Sequence, residues 1–202
     1  GLVGSEMCIR DRIYSWAFYD WANSAYSTTV MAGFFPIFFE KFYSNPNDVI
    51  QSTYQLGLAN SISSIFIALV SPLLGAIADR GSAKKKLLII FAFLGSLMTA
   101  ALWLVEKGDW QLAVFFYIIA TIGFMAGNIF YDSLLPSVAG REKVDYVSAL
   151  GYSLGYLGGG LLFLVNVLMY LHPDWFGIPD SSTAIRISFV SVAIWWAIFT
   201  VP

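Results

Sequence analysis

The stretch GAIADRGSAKKK, residues 75–86, decides the fold because it is a charged turn between two long apolar runs. The runs lie at about residues 53–78 and 87–105, and a helix needs about 20 apolar residues to cross a hydrocarbon core. The pattern therefore predicts two transmembrane helices joined by a short loop.

Four further runs, at about residues 14–39, 110–135, 147–171 and 184–201, follow the same pattern with short loops between them. Closely spaced helices of this kind form antiparallel bundles. The ten-residue segments of alternating polarity that are typical of outer-membrane barrels do not occur in this sequence. We expect an all-α membrane protein with six transmembrane helices.

The composition indicates the same class. Of 202 residues, 58% are hydrophobic and 12% are charged, against about 25% charged in a soluble domain. The net charge of -2 predicts no nucleic-acid partner. One cysteine excludes an internal disulfide framework, and one histidine leaves no multi-histidine metal site. We expect no metal and no cofactor.

The first twelve residues, GLVGSEMCIRDR, are not a signal peptide, because no apolar core or cleavage site follows them. All twelve residues can be back-translated into codons that together resemble a transposon-based sequencing adapter. We therefore exclude residues 1–12 as a sequencing-adapter or assembly scar and expect native sequence from about Ile13. Since the chain also stops within apolar sequence, we expect residues 13–202 to be a fragment.

Basic residues predict the orientation in the membrane. The second and fourth loops carry six of them: Arg80, Lys84, Lys85, Lys86, Arg141 and Lys143. The first and third loops carry Lys41 and Lys107, and Arg186 lies at the entry to the sixth helix. The positive-inside rule then places the second and fourth loops and the native N-terminus in the cytoplasm.

The charged turn resembles the signature between helices two and three of the major facilitator superfamily, G-x-x-x-D-[RK]-x-G-[RK]-[RK]. The matching residues are Gly75, Asp79, Arg80 and Lys84, whereas Ser82 and Ala83 depart from it. The resemblance implies that Asp79 caps a helix of the other half of the transporter, near positive amide groups, and that the basic residues anchor the loop. A plain positive-inside loop is the alternative.

Three longer stretches carry a narrower resemblance: WAFYDWANSAYSTTV (16–30), GNIFYDSLLPSVA (127–139) and VSALGYSLGYLGGGLLFLVN (147–166). They resemble the vacuolar amino-acid effluxers associated with autophagy and their bacterial permease relatives. The resemblance implies twelve helices in two halves, of which residues 13–202 form the N-terminal half and the C-terminal six-helix half is missing. It also implies transport of a small polar solute, with amino acids as one candidate.

Five positions on the first helix recur at intervals of three and four residues, and their polar atoms form a stripe: Trp16, Asp20, Asn23/Ser24, Ser27 and Met31. They share one face, which should point to a cavity or another helix instead of lipid. Facilitator substrates bind near the membrane midplane, so we assign Asn23, Ser24, Ser27 and Thr28 to a substrate cavity. Asp20, nearer the cytoplasmic end, is predicted to gate or to couple transport to a proton, or else only to hold helices together.

The fourth helix brings Asn128 and Asp132 toward the cytoplasmic side, one turn apart. Asn128 is predicted to line the cavity. Asp132 is predicted to act in coupling or gating, and it lies at the depth at which an ion pair with Arg80 is geometrically reasonable. Pro136 is expected to end the helix.

Small residues predict close helix packing. On the second helix one small or polar face comprises Gly57, Asn60/Ser61, Ser64, Ala68, Ser71 and Gly75. On the fifth they are Gly151, Gly155, Gly158, Gly159 and Gly160. The fifth-helix run resembles the antiporter motif G-x-x-x-G-P-x-x-G-G with Tyr156 in place of the proline. Tyr152, Tyr156 and Asn166 are predicted to line the cavity.

No catalytic motif is visible, so we expect a protein that is not an enzyme. The hypothesis is a secondary transporter of a bacterial inner membrane that works by alternating access, possesses no nucleotide site and contacts lipid. Two alternatives remain: a membrane scaffold or lipid-handling protein whose polar faces serve only packing, and a polytopic membrane enzyme.

Overall fold

The computed structural model describes residues 2–79, 83–140 and 142–201. A first helical rod comprises α1 (Leu2–Ala25), a π-helical stretch (Tyr26–Phe34), the short α2 (Phe35–Phe38) and a second π-helical stretch (Phe39–Tyr43). Five helices follow: α3 (Val49–Asp79), α4 (Lys84–Ala101), α5 (Trp110–Ala139), α6 (Val144–Leu171) and α7 (Ser181–Thr200). The described ranges contain no strand, and the predicted all-α class is confirmed.

Helices α3 to α7 are each long and apolar enough to cross a membrane, α4 together with the turn that follows it to Leu104. The chain is therefore part of an integral, multi-pass membrane protein. The first predicted span, residues 14–39, lies within the first rod, which is helical throughout this range but changes from α to π geometry at Tyr26. The other five predicted spans agree with the helices from α3 to α7 to within a few residues at each end.

The π-helical geometry follows from the residues around it. The Ser27 and Thr28 hydroxyls both donate to the carbonyl oxygen of Ser24, at 3.0 and 2.9 Å, and compete there with the backbone ladder. Pro36 has no N–H and cannot extend an α-helical ladder. Just before it, the Phe35 N–H bonds the Val30 carbonyl, five residues back. Single π turns are common at functional sites, and this one begins beside the polar face of α1.

Helices α4 and α5 cross in close contact. A Cβ atom at Gly123 would lie 2.8 Å from the backbone N of Gly95 and 2.8 Å from the carbonyl oxygen of Phe91. Gly95 also receives the fully buried ring of Trp196 from α7. Elsewhere α1 packs against α6, α3 against α5, and α4 against α7. Small residues permit such approaches, and dispersion contacts between close helices stabilise bundles in lipid.

Pro136 does not end the fourth predicted span, which corrects the sequence prediction: α5 continues to Ala139 with the proline inside it. The missing N–H leaves the carbonyl of Asp132 without its usual helical partner. Lys84 donates to the adjacent Ser133 carbonyl at 3.0 Å, and Gly140, with φ +65°, follows the last turn. Transmembrane helices tolerate proline where neighbouring side chains satisfy the freed groups.

The small-residue face predicted on the second span does not pack closely within this chain, except at Asn60, which accepts a hydrogen bond from Tyr117 of α5 at 2.9 Å. Gly57, Ser61, Ser64 and Ala68 are exposed, and no atom lies within 4 Å of a Cβ built at Gly57 or Gly75. The buried face of α3 contains Ser52, Gln55, Ala59 and Ser63 and packs on α5. This helix has small residues on more than one face, so spacing alone does not select the one that packs.

The basic residues sort to the two ends of the bundle. Arg12 and Lys85 line a cavity at one end, and Lys41 and Lys107 line another beside Ser181 at the other. This distribution follows from antiparallel helices with short loops. Which end faces the cytoplasm stays a prediction, and Arg80 and Arg141, on which it partly depends, lie outside the described residues.

Candidate functional site

The polar face of α1 is organised around Asp20 and Ser24. The Ser24 hydroxyl donates to Oδ1 of Asp20 at 3.2 Å, and the Ser24 carbonyl accepts from both Ser27 and Thr28. The Thr28 hydroxyl also lies 3.3 Å from the carbonyl oxygen of Gly159 on α6. These bonds fix the carboxylate of Asp20 on the face of α1 that meets α6.

Two hydrogen bonds set the position of α5 relative to α1. Asn23 Nδ2 donates to Asn128 Oδ1 across 2.5 Å. About two turns nearer the start of α1, the Trp16 indole N–H donates to the Tyr131 carbonyl at 2.9 Å, and the two rings stack with centroids 4.1 Å apart. Asn128, Tyr131 and Asp132 are thereby held beside Asp20.

Helix α6 approaches α1 through glycines. A Cβ atom at Gly155 would lie 2.8 Å from Asp20 Oδ2 and 2.7 Å from the Ser24 hydroxyl. Glycines one turn to either side make similarly close approaches: Gly151 to Trp16 and Tyr131, Gly158 to Trp21, and Gly159 to the Ser24 carbonyl. No atom lies within 4 Å of a Cβ at Gly160, so its predicted packing role is wrong within this chain.

The three helices enclose a first cavity of about 230 Å³. Most of the residues that line it carry polar side chains: the full set is Asp20, Asn23, Ser24, Ser27, Thr28, Phe124, Asn128, Tyr152, Gly155 and Tyr156. Seven of the eight residues that the sequence assigned to the cavity thus surround one space, and Asn166 is the exception. Their binding role stays a prediction.

A second cavity of about 150 Å³ adjoins the first. It is lined by Trp16, Asp20, Asn128, Tyr131, Asp132, Leu135, Ser148 and Tyr152. Three side chains, those of Asp20, Asn128 and Tyr152, line both cavities. Asp20 therefore stands between a space walled by hydroxyls and amides and a space that contains a second carboxylate, that of Asp132.

The charge of this region is negative. Asp20 and Asp132 line the second cavity, and no Lys, Arg or His is among the lining residues of either cavity that the structure describes. Asp20 is half-buried, and Asp132 is exposed toward the open side of its cavity. A bound group that compensates this charge must be a cation, a proton or a donor of hydrogen bonds.

The sequence analysis did not assign Phe124, Tyr131, Leu135 or Ser148 to the site. Helical spacing contains a signal for all four. Phe124 precedes Asn128 by four residues and Tyr131 follows it by three. Leu135 follows Asp132 by three and Ser148 precedes Tyr152 by four, so each shares a helix face with a residue that was assigned. Trp16 was placed on the polar face of α1, where its packing against Tyr131 makes it part of the wall of the second cavity.

Asn166, Lys84 and Gly75 lie away from the site. Asn166, predicted to line the cavity, is fully buried and accepts a hydrogen bond from Ser191 of α7 at 3.0 Å. That prediction is wrong, because this part of α6 faces α7. In the charged turn, Lys84 contacts the Ser133 carbonyl, and Gly75 is half-buried beside open space. The described residues exclude Arg80 and the side chain of Asp79. The predicted Asp132–Arg80 ion pair therefore lies outside them as well.

Comparison with known proteins gives a family and several relatives. The family model described as "Vacuole effluxer Atg22 like" matches residues 48–202. An uncharacterized MFS-type transporter, YxiO of Bacillus subtilis, is 38% identical over 93% of this chain and 44% of its own length. Autophagy-related protein 22 of Pichia angusta is 26% identical over 83% of this chain and 32% of its own length.

An uncharacterized protein of Aquifex aeolicus is 30% identical over 76% of this chain and 38% of its length. The chain thus spans less than half the length of these curated relatives. No solved structure matches it.

Proposed function

The chain belongs to the vacuole effluxer Atg22-like family, and we propose that the whole protein is a secondary active transporter that moves a small polar solute across a membrane by alternating access. The observation that supports this most directly is the pair of adjoining polar cavities between α1, α5 and α6. Polar side chains inside a membrane bundle are costly unless they pair or line a path for polar matter.

We assign the solute to the first cavity, with Asn23, Ser24, Ser27, Thr28, Asn128, Tyr152 and Tyr156 as its wall on this side. Amides and hydroxyls both donate and accept hydrogen bonds, which suits a small zwitterionic or otherwise polar solute. Amino acids are the first candidates, because the resemblance to vacuolar amino-acid effluxers implies them. Tyr152 and Tyr156 are 66% and 78% exposed, so this wall has a wide open side.

A second six-helix half would close that open side. The relatives are more than twice as long as the aligned part of this chain, which leaves room for such a half. In this arrangement the exposed small-residue face of α3 and the exposed tyrosines of α6 would meet protein. The protein would lie in a bacterial inner membrane with the loops around Lys84 and Lys143 in the cytoplasm.

Asp20 and Asp132 are the proposed coupling or gating residues. Both line the second cavity, and Asp20 also reaches the first. A carboxylate in that position senses both the solute and the ion or proton that drives its movement. Opening and closing of the cavity would change the access of water to Asp20, which is the condition that coupling requires.

The test uses the full-length protein in proteoliposomes, with uptake and counterflow measured for a panel of radiolabelled amino acids and other small polar solutes. Gly155→Ala puts a methyl group against Asp20 and Ser24, and we expect uptake to fall at least about tenfold. Gly160→Ala, on the same helix with open space around it, is the matched control and should retain uptake.

Two results would contradict the proposal. One is wild-type protein that is folded and reconstituted but binds and moves none of these solutes, which would favour a membrane scaffold whose polar groups serve packing. The other is equal uptake by the Gly155→Ala and wild-type proteins, which would place the solute path away from the α1–α6 contact.

A further inference from the structure

The second cavity contains two carboxylates and no described cationic side chain. Asp20 and Asp132 come from different helices, α1 and α5, and Trp16 stacked on Tyr131 holds those helices together at this level. Two carboxylates on one small cavity repel each other, and Asp20 is half-buried, so a positive partner would stabilise the pair. None of the described side chains that line the cavity supplies one.

A second feature of the same cavity points to a ligand. Tyr131 is only 6% exposed and lines the cavity, yet its buried hydroxyl has no hydrogen-bond partner. The ring cannot turn away freely, because it stacks on Trp16 and lies 5.1 Å from the Tyr19 ring, centroid to centroid. Buried hydroxyls are nearly always bonded, so an orphaned one beside two carboxylates marks a position that a bound group would fill.

We propose that Asp20 and Asp132 bind a small monovalent cation in the second cavity, with the Tyr131 hydroxyl as a neutral oxygen ligand. The cation is an alkali-metal ion or the ammonium group of a solute. Asn128, Ser148 and Tyr152 bring further oxygen atoms to the same wall. Oxygen donors are the ligands that hard cations prefer, and an ammonium group donates its three N–H bonds to the same kind of acceptor.

The number of acids favours a monovalent cation over a divalent metal, and the volume of the cavity fits a small one. About 150 Å³ holds roughly five waters at about 30 Å³ each, which suits an ion with part of its hydration shell or one amino group. In the part of the chain that the structure describes, no group of three or more acidic, histidine or cysteine residues is placed to hold a metal. Calcium sites use six to eight oxygen ligands, several of them carboxylates.

The two sources of the cation have different consequences. The second cavity shares Asp20, Asn128 and Tyr152 with the first, so an amino group bound here would belong to a solute whose remainder lies in the first cavity. An alkali-metal ion bound here would touch the solute only through the shared side chains. The role of the cation as cargo or as coupling ion rests on the proposed transport function, but its binding can be measured without transport.

The experiment measures the thermal unfolding midpoint of the full-length protein in detergent at constant ionic strength. Lithium, sodium, potassium, ammonium and methylammonium chlorides are titrated against N-methyl-D-glucamine chloride, whose cation is too large for the cavity. We expect at least one small cation to raise the midpoint by several degrees in a saturable manner. An alkali-metal effect identifies an ion, and an effect confined to ammonium and methylammonium identifies a solute amino group.

Variants locate the effect. Asp132→Asn removes one charge from an exposed position that folding does not require, and we expect the half-saturating cation concentration to rise at least about tenfold. Asp20→Asn should do the same, and Tyr131→Phe, which keeps the stacked ring, should raise it by about threefold or more. Asp145→Asn is the matched control, since Asp145 is exposed at the start of α6 and lines neither cavity.

The inference is overturned if no small cation stabilises the wild-type protein more than N-methyl-D-glucamine does, or if Asp132→Asn leaves the titration unchanged. Either result with solute uptake intact removes the cation site and leaves the transport proposal standing. Cation stabilisation that depends on Asp20 and Asp132, in a protein that transports no solute, retains the site and removes the transport proposal.

Discussion

The Asn23 amide on α1 donates to the Asn128 side-chain oxygen on α5, with 2.5 Å between the two atoms. Asn23 is 1% exposed, so its amide has no access to bulk water when this bond is broken. The pair therefore has two roles: it joins two helices, and it sets one polar edge of the first cavity, which both residues line.

The first prediction measures this pair by a double-mutant cycle in the full-length protein. Asn23→Ala and Asn128→Ala should each lower the apparent free energy of unfolding, and the double variant should reveal a coupling of about 1 kcal/mol, as found for interhelical hydrogen bonds in membranes. Asn23→Ala combined with Ser153→Ala is the control, because Ser153 bonds only within α6. Coupling of the same size in the control would refute a direct interaction.

The second prediction concerns the α4–α5 crossing. Gly123→Ala places a methyl group 2.8 Å from backbone atoms of Gly95 and Phe91, and backbones cannot rotate away as side chains do. We expect a loss of about 1–3 kcal/mol of stability, the usual cost of overpacking. Gly57→Ala, on the exposed face of α3 with no atom within 4 Å, should be neutral or stabilising because alanine favours helix. Equal midpoints for the two variants would contradict the observed crossing.

The sequence predicts the helices well because a transmembrane helix must satisfy its backbone within one continuous apolar segment. The pattern of the α1 face is equally informative. Asp20, Ser24 and Ser27 share that face by spacing alone, and the structure places all three around the first cavity. These features depend on residues close together in sequence, which is why they are readable without coordinates.

Features that depend on which helix packs where are not readable in this way. The small-residue face of the second span and Asn166 have the composition expected for packing and for a cavity, respectively, but α5 covers a different face of α3 and α7 covers Asn166. Pro136 lies inside α5, and Lys84, distant in sequence, donates to the Ser133 carbonyl next to the freed Asp132 carbonyl. In each case the contacts come from a neighbouring helix.

The third prediction concerns acid stability at the start of α7. The backbone N–H of Thr183 donates to the Asp180 carboxylate and lowers its pKa most, and the Thr183 hydroxyl donates to it as well. Together these hydrogen bonds hold the pKa of this exposed carboxyl below its usual value. A carboxyl whose pKa is lower in the folded state stabilises the fold above its unfolded pKa of about 3.9. That stabilisation disappears as the pH falls through the folded pKa.

The measurement compares the unfolding midpoints of the wild-type protein and Asp180→Asn between about pH 6 and pH 3. Asparagine also caps helices but does not titrate. Any advantage of the wild type at neutral pH should therefore shrink on acidification. A difference between the two proteins that stays constant over this range would show that the carboxylate charge at the cap contributes nothing.

The fourth prediction is the orientation in the membrane. In a cysteine-free version of the full-length protein, Lys107→Cys should react with an impermeant thiol reagent in intact cells. Glu142→Cys should react only after the membrane is opened. Both native residues are exposed and lie in loops at opposite ends of α5. Reaction of Glu142→Cys alone in intact cells would reverse the proposed topology.

The fifth prediction tests Asp20 as a coupling residue. Asp20→Asn preserves the shape of the side chain and an oxygen that accepts from Ser24, which now lies 3.2 Å from Asp20 Oδ1, while it removes the charge and the titration. Because coupling needs a carboxylate that changes its proton or cation occupancy as the cavity opens and closes, the variant should lose gradient-driven accumulation of solute. If the second cavity binds an alkali-metal ion, solute binding and exchange, which use the polar wall of the first cavity, should remain within about threefold of the wild-type values. If it binds the amino group of the solute, solute binding should weaken at least about tenfold.

The design separates coupling from packing. If Asp20 serves only to accept hydrogen bonds, the asparagine satisfies the same neighbour and accumulation should continue at the wild-type level, which would refute the coupling role. Ser24→Ala is the companion variant, because it removes the hydroxyl that bonds Asp20 but keeps the carboxylate. We expect it to weaken solute binding, since Ser24 lines the first cavity, and to leave accumulation dependent on the gradient. A Ser24→Ala protein that loses accumulation as completely as Asp20→Asn would assign coupling to the bonded pair instead of to the charge.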